Sequence, residues 1–168
     1  MLKPINVIIA DDHQMVREGI IQILELDGDI VVIGEAGDGQ ECLELINSKQ
    51  TDVLLLDINM PKMDGLQVLK KLRAENINTK VLMLTIHKEI EYLVKAMEVG
   101  VEGYVLKDSD SSVLRQAIYS VYKGDKFIQP ELAPLLNKRK IEKEEINNSL
   151  EVPLTEREIQ VIKLLTEG

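Results

Sequence analysis

Asp57 closes an apolar run of four residues, 53–56, and is followed at once by a turn sequence that contains Pro61 and Gly65. The run predicts a buried strand that stops at a carboxylate. Because burying a charge is costly, an acid at the end of such a strand usually points into a crevice where chemistry is done. An aspartate can accept a phosphoryl group as an acyl phosphate. We therefore predict that Asp57 is a nucleophile for phosphoryl transfer.

Four further residues with suitable chemistry stand at the ends of other predicted strands. Asp11 and Asp12 follow the first strand, Thr85 ends the fourth, and Lys107 follows the fifth. In an open parallel sheet these ends share one edge, where ligands bind. A divalent cation would relieve the repulsion between three close carboxylates, and Mg²⁺ prefers such oxygen ligands. The lysine and the hydroxyl are predicted to bind the phosphoryl oxygens.

The elements that must position these residues alternate strictly along the chain. The apolar segments are rich in Val, Ile and Leu and mostly lack polar alternation, which is typical of strands covered on both faces. Five strand–helix pairs predict an α/β fold, with a doubly wound, flavodoxin-like sheet of order 2-1-3-4-5. The predicted strands are Ile5–Ala10, Ile30–Glu35, Asp52–Leu56, Lys80–Thr85 and Gly103–Leu106, and the predicted helices are His13–Leu26, Gly39–Ser48, Leu66–Glu75, Glu89–Val99 and Ser111–Tyr122.

The size and composition of the chain limit what it can be. Its 168 residues are enough for one well-cored domain and a fragment of another. No apolar stretch approaches the roughly 18 residues of a membrane span, so no membrane partner is expected. The single cysteine, Cys42, suits a reducing cytoplasm and is expected to be a small buried hydrophobe on a helix. The net charge of −9 disfavours nucleic-acid binding by these residues alone.

The chain changes character after the last strand–helix pair. Residues 125–152 predict a partly helical linker, because they combine Pro130 and Pro134 with a mixed run of charges. Thr155 and Glu158 then form a capping-box signature, where a new helix is predicted to start.

The first part of the chain, residues 3–124, resembles the receiver domain of bacterial two-component response regulators. Order, spacing and residue types all agree with that family. The residues that carry the resemblance are Asp11-Asp12, Asp57, Met60-Pro61, Asp64-Gly65, Thr85 and Gly103-Tyr104-Val105-Leu106-Lys107.

The resemblance implies that Asp57 accepts a phosphoryl group from a sensor histidine kinase. It also implies a Mg²⁺ ion, for which Mn²⁺ could substitute. The ion would be held by Asp12, Asp57 and the backbone carbonyl of Asn59, with Asp11 assisting through water. His13 lacks the context of a phosphohistidine relay and is interpreted as a surface or near-site histidine.

A conformational switch is also implied by the resemblance. Thr85 and Tyr104 match the family's switch pair, in which the threonine moves toward the phosphoryl group and the tyrosine turns inward. Asn59 and His87 occupy positions that tune the lifetime of the phosphoryl group. The family often has proline after the lysine, and here Asp108 stands in that place.

The end of the chain resembles the opening helix of a LuxR-type helix-turn-helix domain, through Leu154–Ile159 and Thr166–Gly168. Together the two parts resemble the NarL/FixJ subfamily of transcriptional regulators. The recognition helix is expected beyond Gly168, so no DNA-binding residue is assigned here, and promoter DNA is expected as a partner of the full-length protein alone. The predicted organisation is a receiver domain over 1–124, a linker over 125–152 and the first helix of an incomplete helix-turn-helix domain over 153–168.

A homodimer is expected on phosphorylation, because the DNA sites of such regulators are usually two-fold. The candidate faces are the first and fifth helices, with Val113, Ala117, Ile118 and Val121 as apolar candidates, or the face around Tyr104. Burial in the core of the monomer competes for the same side chains.

Two other classes of function remain open at this point. A haloacid-dehalogenase-type phosphatase also uses a nucleophilic aspartate after a strand, but it needs a second acid two residues on, where this chain has Asn59. A binding module that had lost phosphorylation would have lost some of the acid, hydroxyl or lysine positions, and all are present. We therefore expect no enzyme beyond a receiver that catalyses its own phosphorylation and dephosphorylation.

Overall fold

The structure of the protein is a computed structural model and describes residues 3–150. Strands and helices alternate from the first described residues to Tyr122. The strands are β1 (Ile5–Ala10), β2 (Ile30–Ala36), β3 (Val53–Leu56), β4 (Lys80–Thr85), β5 (Gly103–Leu106) and β6 (Phe127–Ile128), and the helices are α1 (Gln14–Glu25), α2 (Gly39–Ser48), α3 (Gly65–Ala74), α4 (Ile90–Val99), α5 (Ser111–Tyr122) and α6 (Ala133–Leu150), with a 3₁₀ turn at Pro130–Leu132.

The strands form one parallel sheet with the order β2-β1-β3-β4-β5-β6. This is the predicted flavodoxin-like order with one strand added. Val7 and Ile9 of β1 belong to a buried cluster with side chains of α1 and α5. Ile8 between them is also fully buried, on the opposite face, because side chains alternate along a strand. The prediction that the strands are covered on both faces is therefore confirmed for the centre of the sheet.

The sixth strand corrects the prediction of five. Phe127 and Ile128 pair in parallel with Gly103 and Tyr104 of β5, inside the stretch assigned to the linker. A strand of two residues shows no periodicity that sequence reasoning could detect. A Cβ at Gly103 would lie 2.4 Å from a methyl group of Leu82 and 3.2 Å from the carbonyl oxygen of Phe127, so a larger residue here would force the buried Leu82 side chain to shift.

The helix ends follow local capping chemistry. Asp38 is the N-cap of α2, and its carboxylate accepts a hydrogen bond from the backbone N of Glu41 at 2.9 Å. α4 ends at Val99 as predicted, and the following Gly100 has a positive φ of 102°, a conformation that favours glycine. α3 begins one residue earlier than predicted, because Asp64 and Gln67 form a capping box.

The α5 residues offered as a dimer face are core residues. Ala117, Ile118 and Val121 are fully buried against the sheet, and Val113 is half-buried against the same cluster. Burial in the monomer therefore accounts for these four side chains, and the expectation that they form a dimer contact is wrong for the three that are fully buried. Cys42 is buried on α2, as expected.

Of the described residues, 3–130 belong to one compact unit and 131–150 belong to a second. The second unit contains α6, so the stretch predicted as a partly helical linker is helical over 133–150. The helix predicted to start near Thr155 lies outside the described residues. Within the described part of the chain, each helix is too short or too polar to cross a membrane.

Candidate functional site

The register of the sheet brings two of the predicted acids side by side. Ala10 of β1 pairs with Leu56 of β3, so Asp11 and Asp57 leave the sheet at the same level. Each is anchored through its backbone, since Asp57 N donates to Ala10 O and Asp11 N donates to Ala36 O, both at 2.9 Å. Asp11 is 2% exposed and Asp57 is 4% exposed. The predicted convergence of strand ends therefore produces a pair of buried carboxylates.

Lys107 reaches this pair from the end of β5. Its Nζ lies 2.5 Å from Asp11 Oδ2 and 3.1 Å from Asp57 Oδ2. Its backbone N donates to Thr85 O at 2.8 Å, which ties the start of the β5–α5 loop to the end of β4. The lysine and the two acids form one ion-pair network below the surface of the sheet edge.

The electrostatics of the network follow from burial and charge. Burial raises the pKa of Asp57 above its ordinary value, and the positive charge of Lys107 opposes that rise. Burial alone would lower the pKa of Lys107, but its contact with Asp11 and the charge of Asp57 outweigh burial, so the pKa of Lys107 is raised. The fold therefore holds Lys107 firmly in its charged form next to the candidate nucleophile.

The acidic cluster fits a hard divalent cation. Asp11, Asp12, His13 and Asp57 each offer one ligand atom, and these atoms lie within 4.8 Å of one another. Asp11 Oδ2 is buried and pairs with Lys107 Nζ at 2.5 Å. The lysine supplies one positive charge against three carboxylates, so the cluster keeps an acidic excess that a divalent cation with oxygen ligands would offset.

His13 is the near-site histidine that the sequence suggested. Its Nδ1 lies 2.9 Å from Asp12 Oδ1 and 3.1 Å from Asp11 Oδ1. Its backbone N also donates to Asp11 Oδ1 at 2.8 Å, which fixes the orientation of that carboxylate. The imidazole side chain is 65% exposed, so it lies at the mouth of the acidic cluster.

The loop after β3 approaches Asp57 closely because of a glycine. Gly65 N donates to Ile58 O at 2.8 Å and folds the loop back on its own start. A Cβ at Gly65 would lie 2.1 Å from the carbonyl oxygen of Asp57, so another residue cannot be placed here without moving the backbone. Lys62 in the same loop has a φ of 67° and helps the chain reverse direction. The turn sequence therefore fixes where the carboxylate of Asp57 stands.

The predicted switch and lifetime residues meet in the β4–α4 loop. Thr85 is fully buried, and its Oγ1 accepts a hydrogen bond from His87 N at 3.2 Å. Tyr104 is 1% exposed, and its hydroxyl donates to His87 O at 3.0 Å. The His87 ring stacks on Tyr92 at 4.2 Å between centroids, and its Nε2 lies 2.7 Å from Asn59 Nδ2.

This arrangement links the predicted lifetime residues to the predicted switch residues through one side chain. Tyr104 is turned inward in this structure, and burial raises the pKa of its hydroxyl. The exposed side chain of Asn59 interacts with His87 rather than with the acids. Sequence reasoning did not find these contacts, because loop side chains carry no periodic signal.

Gln129 is a further residue of the site region that the sequence did not indicate. It follows β6, is 4% exposed and contacts the turn that carries Lys107. It lies in the stretch assigned to the linker, where a single glutamine gives no pattern.

The fold and the site define a class of protein, namely a receiver domain built on a parallel α/β sheet. The family model of the response regulator receiver domain matches residues 7–119. The nitrate/nitrite response regulator NarP of Escherichia coli K12 is 38% identical over 168 residues, which cover 98% of this chain and 76% of NarP.

Solved structures agree with that assignment. The crystal structure of a LuxR-family two-component response regulator from Aurantimonas sp. SI85-9A1 superposes with a TM-score of 0.78 at 28% identity, covering 83% of this chain and 99% of that one. The isolated receiver domain of RcsB from Salmonella enterica serovar Typhimurium, solved with the phosphomimetic BeF₃⁻, superposes with a TM-score of 0.73 at 29% identity, covering 79% of this chain and 99% of that one.

The chain belongs to the response regulator family, among the NarL/FixJ-type, LuxR-family regulators. Response regulators are signalling proteins of two-component systems and take part in regulating transcription. Their receiver domains bind Mg²⁺ and interact with sensor histidine kinases, and LuxR-type regulators bind DNA.

Proposed function

We propose that Asp57 accepts a phosphoryl group from a sensor histidine kinase and that this event controls a DNA-binding output. The observation that carries the proposal is the placement of Lys107 Nζ between two buried carboxylates, 2.5 Å from Asp11 and 3.1 Å from Asp57. Lysine side chains with so little exposure are uncommon, and one that lies beside two buried acids indicates a functional site.

The reaction requires Asp57 in its ionised form. A carboxylate oxygen of Asp57 attacks the phosphorus atom, the bond from phosphorus to the imidazole nitrogen of the kinase breaks, and the imidazole leaves and takes up a proton. Lys107 favours the ionised acid beforehand and is positioned to pair with the phosphoryl oxygens afterwards. Thr85 uses its oxygen as an acceptor for His87 N, so its hydroxyl proton can be donated to a phosphoryl oxygen.

The cation proposed for this site is Mg²⁺, with Mn²⁺ as a substitute. Asp12, Asp57 and the backbone carbonyl of Asn59 would hold it, with Asp11 assisting through water. When bound, the ion supplies positive charge that offsets the charge of the phosphoryl oxygens. The excess of three carboxylates over the one ammonium group of Lys107 supports an additional cation near the cluster.

The output is proposed to respond through Thr85 and Tyr104. The two side chains contact the same short loop, since both bind backbone atoms of His87. A phosphoryl group that draws Thr85 toward Asp57 would therefore change the loop that holds the Tyr104 hydroxyl. Dimerisation of the receiver, over 1–124, and control of a helix-turn-helix domain that begins at 153, after a linker over 125–152, belong to the same proposal.

Intact-mass spectrometry tests the acceptor. The chain is incubated with Mg²⁺ and a small acyl phosphate, beside the Asp57→Asn variant and an Asp125→Asn control at an exposed position. One added phosphoryl group in the parent chain and the control, lost in Asp57→Asn and on addition of EDTA, is the expected result. If a matched active receiver is labelled while this chain stays unmodified with the donor and with candidate kinases, the proposal is wrong.

A further inference from the structure

Gln129 is an unusual buried residue in this fold. Among the described residues, five polar or charged side chains are buried. Asp11, Asp57 and Thr85 belong to the site, and Asp38 caps α2. Gln129 is the fifth, and it has no part in the phosphoryl chemistry described above. Since burying an amide is unfavourable unless it is hydrogen-bonded, its partners indicate why it is there.

Those partners are the two ends of one tight turn. Ser109 N donates to Leu106 O at 3.1 Å, which closes a four-residue turn with Lys107 in its second position. The Gln129 Oε1 accepts a hydrogen bond from Ser109 Oγ at 2.8 Å and a long one from Leu106 N at 3.5 Å. A single side-chain oxygen therefore bridges the first and fourth residues of the turn that carries the lysine.

The backbone of Gln129 is fixed as well. Its N–H donates to Tyr104 O at 2.9 Å, continuing the pairing of β6 with β5. The backbone of Gln129 is therefore held by β5, and its side chain binds residues at the end of that same strand. The turn itself lacks the φ restraint of a proline, because Asp108 follows Lys107. Hydrogen bonds from outside the turn, such as those that Gln129 Oε1 accepts, therefore restrain its conformation.

We propose that Gln129 is a positioning residue for Lys107. By clamping the turn from Leu106 to Ser109, it holds the flexible lysine stem so that Nζ lies beside Asp11 and Asp57. This inference rests on the proposed function, since it assigns to Gln129 an effect on the rate of phosphoryl transfer to Asp57. It also connects the segment just before the second compact unit with the phosphoacceptor site.

Two substitutions of similar size separate the clamp from simple packing. Gln129→Met fills the space without an acceptor and leaves Ser109 Oγ and Leu106 N without a partner. Gln129→Glu keeps an oxygen in the place of Oε1. The clamp predicts a phosphorylation rate on the order of tenfold lower in Gln129→Met, because small misplacements of a reacting group are costly. For Gln129→Glu it predicts a rate within about twofold of the parent chain.

A purely structural role predicts the opposite order. Methionine suits a buried site better than a carboxylate does, so packing alone would make Gln129→Met the milder change. Gln116→Met, at an exposed position of α5, is the matched control and should keep the parent rate. The rates are measured by intact mass with a small acyl phosphate and saturating Mg²⁺, and thermal unfolding of each variant is recorded beside them.

Amide hydrogen exchange without any donor gives the second measurement. The amides of Leu106 and Ser109 should exchange at least about tenfold faster in Gln129→Met than in the parent chain, because the clamp protects the closed turn. If Gln129→Met folds poorly, Ser109→Ala removes the other partner of the strong bond with a smaller change. If Gln129→Met folds, adding Ser109→Ala to it should slow phosphorylation little further, because both changes remove the same interaction.

The outcomes are distinct. Equal rates for the methionine and glutamate variants, with parent-like exchange at Leu106 and Ser109, would overturn the role of Gln129. A parent chain that stays unmodified with the donor and with candidate kinases, while a matched active receiver is labelled, would instead refute the proposed function. In that case the exchange data alone would still decide whether Gln129 holds the turn.

Discussion

Replacing Lys107 by methionine should destabilise the fold in a pH-dependent way. The change keeps most of the stem but removes the ammonium, which leaves Asp11 and Asp57 buried at 2% and 4% exposure without their cation. At an effective dielectric constant of about 20, a pair of unit charges 3.1 Å apart attracts by about 5 kcal/mol. The lysine's own loss of hydration offsets part of this. We expect a net loss of about 3 kcal/mol in the free energy of unfolding at pH 7, within the range for breaking a buried pair.

The sign of the pH dependence follows from Asp57. Its pKa is already raised by burial, and Lys107 is what opposes that rise. Without the lysine, the pKa of Asp57 rises further above its unfolded value, so the native state binds more protons than the unfolded state in that window. Stability of the variant should therefore increase as pH falls from about 7 to about 4, more steeply than that of the parent chain.

Urea unfolding at several pH values, in EDTA and in Mg²⁺, measures this directly. Mg²⁺ should recover part of the loss, because it supplies positive charge to the same carboxylates. Lys123→Met, at an exposed position after α5, is the control and should change stability by less than about 0.5 kcal/mol. A Lys107→Met deficit that is the same at pH 4 and pH 7 would show that stem packing, not charge, holds the lysine there.

Three further outcomes are expected. Gly65→Ala should destabilise the fold by more than about 3 kcal/mol in urea unfolding, because the new Cβ would meet the carbonyl of Asp57. Gly19→Ala is the control and should be neutral or stabilising, because no atom lies within 4 Å of its new Cβ. Burial raises the pKa of the Cys42 thiol to about 12, so a thiol reagent at pH 8 should label it only as fast as the chain opens, and fast labelling of the folded protein would contradict its burial. Burial also raises the pKa of the Tyr104 hydroxyl, so the free energy of unfolding should fall as pH rises above about 10. Tyr104→Phe should lessen that fall and should cost about 1 kcal/mol at pH 7 for the lost hydrogen bond.

The parts of the fold that sequence predicted are those with a strong repeating signal. β1, β4, β5, α2 and α5 have the predicted ends, and the ends of α1, α3 and α4 differ from the predicted ones by at most one residue. Long apolar runs and helical spacing identify such elements, because burial of a face imposes a period on the sequence. The strand order followed from the alternation of elements, and the order brought Asp11, Asp57 and Lys107 to one edge.

The parts of the fold and of the site that the sequence did not predict depend on single contacts between distant segments. Phe127 and Ile128 form a strand because the edge of β5 offers hydrogen bonds, not because two residues show a pattern. His87 joins Asn59 to the Tyr104 hydroxyl through one ring and one carbonyl. Gln129 is buried where its side-chain oxygen accepts hydrogen bonds from Ser109 and Leu106, two residues of a distant segment. Sequence gives no local signal for such contacts, since each requires the fold to exist first.

The balance of charges in the site is a further reason to expect a divalent cation there. Three carboxylates meet at the sheet edge, and Lys107 pairs its ammonium group with the two that are buried, Asp11 and Asp57. One positive charge against three negative charges leaves the cluster acidic even before any reaction. A phosphoryl group on Asp57 would replace one negative charge by about two. The product state is therefore more in need of a divalent cation than the starting state. Mg²⁺ that binds this cluster should consequently bind more tightly after phosphorylation, and by linkage it should favour phosphorylation to the same extent.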